Sequence, residues 1–242
     1  MFDPKRFSTV QAKPLPVFML LDVSGSMKGE KLDNLNKAVF EMINDFQNLE
    51  IPITLSTLLF GSASSIHINP TSVNDINWVD LTIDCCRSVG RREQGITPMG
   101  VSFKDLKKLI EDKKTTPSRA YRPLLLLVSD GKPNKGWQQP LNQLISNGRS
   151  SKCDRMAMAI GKDANHNVLS EFVTRTGNSV FQAKDASEIK HFFKLVTMSV
   201  TMRAQSKNPN LVPNPSDIKL DGNSVDSTPS NTTTSFDDDG YW

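Results

Sequence analysis

The sequence predicts an α/β domain, a Rossmann-like doubly wound sheet that is mostly parallel, with one antiparallel edge strand and helices on both faces. Three observations carry this. Short β-rich apolar runs alternate along the chain with stretches of helical periodicity. The runs at 16–21 (PVFMLL) and 124–128 (LLLLV) are apolar on both faces, as a parallel strand buried between two helix layers must be. The runs at 53–60 and 64–69 follow each other through GSAS, a hairpin connection that sets an antiparallel strand at the sheet edge.

Taken in order, the first strand at 16–21 leads through DVSGSM into a helix at 31–47, where Leu32, Leu35, Val39, Met42, Ile43 and Phe46 recur at three- and four-residue steps and form one apolar stripe. The hairpin follows. A second helix is expected at 100–112, then the strand at 124–128, a helix at 138–148, a strand at 156–160 (MAMAI), a helix at 165–175, a short strand at 180–182 and a closing helix at 187–202. The expected organisation is an N-terminal extension over 1–13, the folded domain over 14–204, and a disordered acidic tail over 205–242. The tail mixes Pro, Ser, Thr, Asn and Asp with few large aliphatics, so it cannot bury enough surface to offset the entropy of ordering.

Composition bounds the function. A chain of 242 residues, 37% hydrophobic and 23% charged, supports one large core. No window approaches the roughly 20 apolar residues of a membrane span, and the opening MFDPKRFSTVQAKPLP lacks the apolar region of a secretory signal, so a cytoplasmic location is expected. Cys85, Cys86 and Cys153 are too few for a disulfide framework and have no zinc-site spacing; they read as reduced, partly buried small groups. The net charge is +3. From residue 206 onward two lysines face six aspartates, a local −4 that leaves +7 on the body. Those positive residues are dispersed and aromatics make up 7% of the chain, which argues against a nucleic-acid binder.

Ligands of doubly wound sheets bind beyond the carboxyl ends of the strands, where the winding direction reverses. After the first strand comes Asp22-Val-Ser24-Gly-Ser26, with three side-chain oxygens at alternate positions. After LLLLV comes Ser129-Asp130-Gly131. Between them, Thr97 in GITPMG precedes a helix. Five oxygens from three loops can therefore meet over the sheet edge, and hard ligands of this kind suit Mg²⁺ or Mn²⁺. Each signal also has a plainer reading: Asp22, Ser24, Ser26 and Thr97 as helix caps, Asp130-Gly131 as a turn.

In combination, Asp22, Ser24, Ser26, Thr97 and Asp130 resemble the metal-ion-dependent adhesion site of von Willebrand factor A (VWA) domains, and the likeness extends over about 14–204. PVFMLLDVSGSM, GITPMG and LLLLVSDGKPN together look most like the bacterial TerY-type branch linked to tellurium resistance. The resemblance implies a non-enzymatic scaffold that holds Mg²⁺ and grips a carboxylate of a partner protein. It also implies association with a serine/threonine kinase and a PP2C-type phosphatase in a stress response. Some relatives carry a cysteine-rich C-terminal region, which this sequence lacks.

An enzymatic alternative is a haloacid-dehalogenase-like phosphatase with Asp22 as nucleophile, but the acid expected two residues on is Ser24. No GxxxxGK[ST] loop is present for nucleotide binding, and His67, His166 and His191 have no partner motif for nucleophilic catalysis. The tail offers two further possibilities. Asp237-Asp238-Asp239-Gly240-Tyr241-Trp242 could dock onto this protein's own metal site or onto a partner, and the Ser/Thr run over 227–235 could accept phosphate.

Overall fold

The computed structural model describes residues 13–131, 135–162, 164 and 166–211. The expected extension before residue 13 and the tail segments at 227–235 and 237–242 lie outside the described residues.

Six strands, β1 (Leu15–Asp22), β2 (Ile53–Phe60), β3 (Ser64–Ser72), β4 (Leu124–Ser129), β5 (Asp154–Ile160) and β6 (Val180–Ala183), form one sheet in the order β3-β2-β1-β4-β5-β6. β1 pairs in parallel with β2 on one side and β4 on the other, and β4–β5 and β5–β6 are also parallel. β3 alone runs antiparallel, against β2 through the tight loop at Gly61, with register shifts around Thr57. This is the expected sheet, with β3 extending to Ser72.

Among the described residues five α-helices flank it: α1 (Glu30–Gln47), α2 (Pro98–Glu111), α3 (Gln138–Ser146), α4 (His166–Phe172) and α5 (Ala186–Gln205). Alternation along the strands divides the core into two layers. Val17, Met19 and Leu21 of β1 and Leu126 and Val128 of β4 face α1 and α5, meeting Leu35, Val39, Phe46, Phe192 and Val196. Phe18 and Leu20, with Leu125 and Leu127, face α2, α3 and α4, meeting Phe103, Leu106, Leu141, Leu144 and Phe172. All eight residues of β1 are buried, as its two-sided apolarity requires.

α4 is shorter than the 165–175 expected. Buried Arg155, on β5, donates from Nε to the carbonyl of Phe172 at 2.6 Å and from Nη2 to that of Thr174 at 2.7 Å. It thereby takes carbonyls that a helix end leaves free, and the chain turns away through Arg175 at φ 68°.

At the amino ends of the strands, Arg203 in the last turn of α5 donates from Nε to the carbonyl of Pro209 at 2.8 Å and also hydrogen-bonds the carbonyl of Arg122. The Arg122 amide in turn donates to Asn210 Oδ1 at 2.7 Å. Residues 206–211, which composition assigns to the tail, are thus tied to the base of β4.

The chain leaves β1 toward β2 and later returns to β1's opposite side at β4. The reversal of winding therefore falls between β1 and β4, and Asp22 and Ser129 mark their carboxyl ends.

Candidate metal centre

Asp22 continues the face of β1 that carries Phe18 and Leu20, but at the strand end, where the sheet no longer covers it with a helix. Its carboxylate is nonetheless almost fully buried, and both oxygens are engaged. Oδ1 accepts from the Ser24 amide at 2.9 Å, and Oδ2 accepts from Ser129 Oγ at 2.6 Å. Burial pushes the Asp22 carboxyl above the ordinary value of 3.8; the hydrogen bonds from Ser129 and Ser24 oppose this, and the nearby Asp130 charge adds to it. A buried carboxylate raised in this way gains from a nearby cation.

Ser24 and Ser26 flank Gly25 in a single 3₁₀ turn ahead of α1, and the alternation brings their hydroxyls together, Oγ to Oγ 3.0 Å. Ser26 Oγ donates to Asp130 Oδ1 at 2.6 Å. The Asp130 side chain has no exposed surface, and its Oδ2 pairs with Lys31 Nζ. Gly131 completes the wall: its amide donates to Ser129 Oγ at 3.3 Å, and a Cβ there would lie 3.8 Å from Asp22 Oδ2 and 3.9 Å from Ser26 Oγ.

The structure thus brings Asp22, Ser24, Ser26 and Asp130 to one place. Thr97 is the N-cap of α2, its Oγ1 accepting from the Gly100 amide at 3.1 Å with Pro98 next in the helix. Among the described residues no hydrogen bond joins it to the other four.

Asp84 supports the loops from below. Its backbone is left-handed (φ 52°), its amide donates to the Val23 carbonyl at 2.7 Å, and its Oδ1 accepts from the Ser62 amide at 2.8 Å. This clamps the β2–β3 turn against the Val23–Ser24 backbone. Gly61 has to be glycine there, because a Cβ would fall 2.8 Å from Asp84 Oδ1.

Ser129, Lys31, Gly131 and Asp84 are the residues that motif spacing misses. Ser129 and Gly131 flank Asp130 in the sequence, but no spacing rule singles them out, and Lys31 shares the first turn of α1 with Glu30 and Asp33, so its pairing with Asp130 is not written locally.

The donor set fits a hard divalent ion. The two serine hydroxyls are hydrogen-bonded to each other at 3.0 Å, and neighbouring ligands of an octahedral Mg²⁺ at about 2.1 Å stand about as far apart, so an ion could replace that hydrogen bond without moving either oxygen far. No cluster of three or more His, Cys, Asp or Glu side chains forms a metal site among the described residues; this one relies on two carboxylates and hydroxyls.

The chain is an open α/β sheet whose switch point gathers hydroxyls and two carboxylates. The sequence pattern of the von Willebrand factor type A domain matches residues 17–195, and the chain belongs to that family. Proximal thread matrix protein 1 of the mussel byssus is similar in structure at TM-score 0.57 and 18% identity, over 77% of this chain and 47% of that one. A further structure of that mussel protein is described as having a zinc-occupied MIDAS motif. A von Willebrand factor type A protein from Catenulispora acidiphila is similar at TM-score 0.54 and 19% identity, over 78% of this chain and 43% of that one. BatB from Bacteroides thetaiotaomicron, a conserved hypothetical protein, is similar at TM-score 0.55 and 12% identity, over 79% of this chain and all of that one. This chain therefore spans less than half of the mussel and Catenulispora proteins, and at these identities the likeness is one of fold. No curated protein matches the chain. No helix among the described residues is long and apolar enough to cross a membrane.

Proposed function

We propose that this protein is a metal-dependent interaction module: Asp22, Ser24, Ser26, Thr97 and Asp130 hold Mg²⁺, with Mn²⁺ able to replace it, and the ion binds a carboxylate of a partner protein. The observation that carries this is the convergence of the Ser24 and Ser26 hydroxyls on the enclosed Asp130 carboxylate, beside the buried Asp22. Two hydroxyls, waters and carboxylates leave the ion much of its charge, and that residual charge is what attracts a partner's acid. Thr97 would contribute its second lone pair, or act through water, while capping α2.

The module is not an enzyme in this reading. Asp22 has Ser24 where a phosphatase would need its second acid, and a serine hydroxyl cannot serve as that acid at neutral pH. Its TerY-like motifs favour a cytoplasmic bacterial setting in tellurium-type stress resistance, with a serine/threonine kinase and a PP2C-type phosphatase as candidate partners. Zinc, given its occupancy of the motif in the mussel protein, is the ion to test against magnesium.

Calorimetric titration of Mg²⁺, Mn²⁺ and Zn²⁺ into the protein and its Asp22→Ala variant, with and without each candidate partner, tests the proposal. Binding of Mg²⁺ that needs Asp22 and tightens when a partner is present is the expected result. Metal binding indifferent to Asp22 would overturn it.

A further inference from the structure

Lys31 brings a positive charge to the centre and is not one of the five residues of the adhesion-site motif. It leaves the first turn of α1, where the positive end of the helix dipole disfavours a cation, and bends back over the 3₁₀ turn. Its Nζ pairs with Asp130 Oδ2 and donates to the Ser26 carbonyl at 3.3 Å. Gly161, at the carboxyl end of β5, lies alongside it: a Cβ there would sit at van der Waals distance, 3.6 Å, from the ammonium. The Lys31 side chain is 39% exposed while Asp130 is fully enclosed, so the lysine reaches the carboxylate from the solvent side.

Resting on the metal reading above, we propose that Lys31 is a tethered cation that competes with the divalent ion for Asp130. Asp130 Oδ1 is occupied by Ser26 Oγ, and Oδ2 faces Lys31. A doubly charged ion brought among Ser24, Ser26 and Asp130 meets the ammonium's positive charge at close range and shares its counter-ion. Loading the site therefore requires Lys31 to withdraw toward solvent, which its long, partly exposed chain permits. The observed affinity is the intrinsic affinity reduced by the fraction of molecules in which Lys31 is withdrawn. A pair formed nine-tenths of the time weakens apparent binding about 10-fold. Once displaced, the ammonium stays at the rim of the site, beside the position where a partner's carboxylate would arrive.

The test compares the full chain with Lys31→Gln, Lys31→Arg and Asp22→Ala by Mg²⁺ calorimetry, together with melting temperatures in EDTA and in excess Mg²⁺. Lys31→Gln is expected to bind Mg²⁺ roughly 10-fold more tightly. It should also melt lower than wild type in EDTA, because Asp130 loses its counter-ion, and gain more on adding Mg²⁺. Lys31→Arg, which keeps the charge, should stay within about twofold of wild-type affinity. If wild type binds Mg²⁺ through Asp22 but Lys31→Gln binds no more tightly, Lys31 is not a competitor and the metal reading survives. If neither wild type nor Lys31→Gln binds metal, the metal reading fails and this inference fails with it.

Discussion

Glu111, at the end of α2, is outside the candidate metal centre and shows how a single carboxylate can tie distant segments. Its Oε1 accepts from Lys107 Nζ at 2.9 Å and from the Ser150 amide at 3.2 Å, and its Oε2 accepts from the Arg149 amide at 3.2 Å. A Cβ at Gly148, which sits at φ 72°, would collide with it. Burial works to raise the carboxyl, but the hydrogen bonds from Lys107, Ser150 and Arg149 together hold it below its ordinary value of 4.5. Its folded pKa is depressed, so its contribution is complete above the ordinary value and lost as pH falls through the folded one. Urea denaturation should show Glu111→Gln less stable than wild type by about 1 kcal/mol at pH 7. The gap should close as the pH is lowered through and below the folded pKa; a gap independent of pH would contradict this assignment. At the candidate metal centre, residue-level legibility is uneven for a physical reason. Asp22, Ser24 and Ser26 lie in one turn, so local spacing reveals them. The contacts of Ser129 with Asp22 and of Lys31 with Asp130 join residues 107 and 99 positions apart and depend on how β1, β4 and α1 come together.

Among the elements, the strands and long helices were legible because two-sided apolar runs and three-to-four periodicity are strong local signals. Their ends were less so. Nothing local to 165–175 announces that Arg155, from another strand, will terminate α4 at Phe172. The end of α5 is similar: polar composition places the tail from 205, yet Arg203 binds the carbonyls of Pro209 and Arg122, and Asn210 accepts from the Arg122 amide. Arg203 is fully buried near Asp154, and burial lowers its pKa from 12.5 to about 10, the Asp154 charge opposing that shift. A buried guanidinium that loses one of its carbonyl partners, as Arg203 would lose Pro209, is left with an unsatisfied donor at a cost of about 1–3 kcal/mol. A chain ending at Leu211 should therefore match the full chain in urea denaturation, and one ending at Gln205 should lose about 2 kcal/mol. Equal stability of the two truncations would return residues 206–211 to the tail.

For the whole molecule, the sheet order explains why a function can be proposed from so few residues. Winding outward from β1 in both directions leaves a crevice at the carboxyl ends of β1 and β4, and the oxygens clustered there come from loops at those two strand ends. The two core layers hold the strands on either side, so the loops are mounted on rigid elements. The class of the fold was legible from the alternation of segments, the two-sided apolar strands and the hairpin, whereas the partner is not written into any element, because a carboxylate can come from many surfaces.

The most direct test is a crystal grown with Mn²⁺ and measured at the manganese absorption edge. The account predicts one anomalous peak about 2.1–2.2 Å from both Ser24 Oγ and Ser26 Oγ, next to Asp22 and Asp130, and absent from Asp22→Ala crystals. A fully formed turn over residues 22–26 with no peak between the serines, or a peak elsewhere on the molecule alone, would contradict the claim that this switch point is a metal centre.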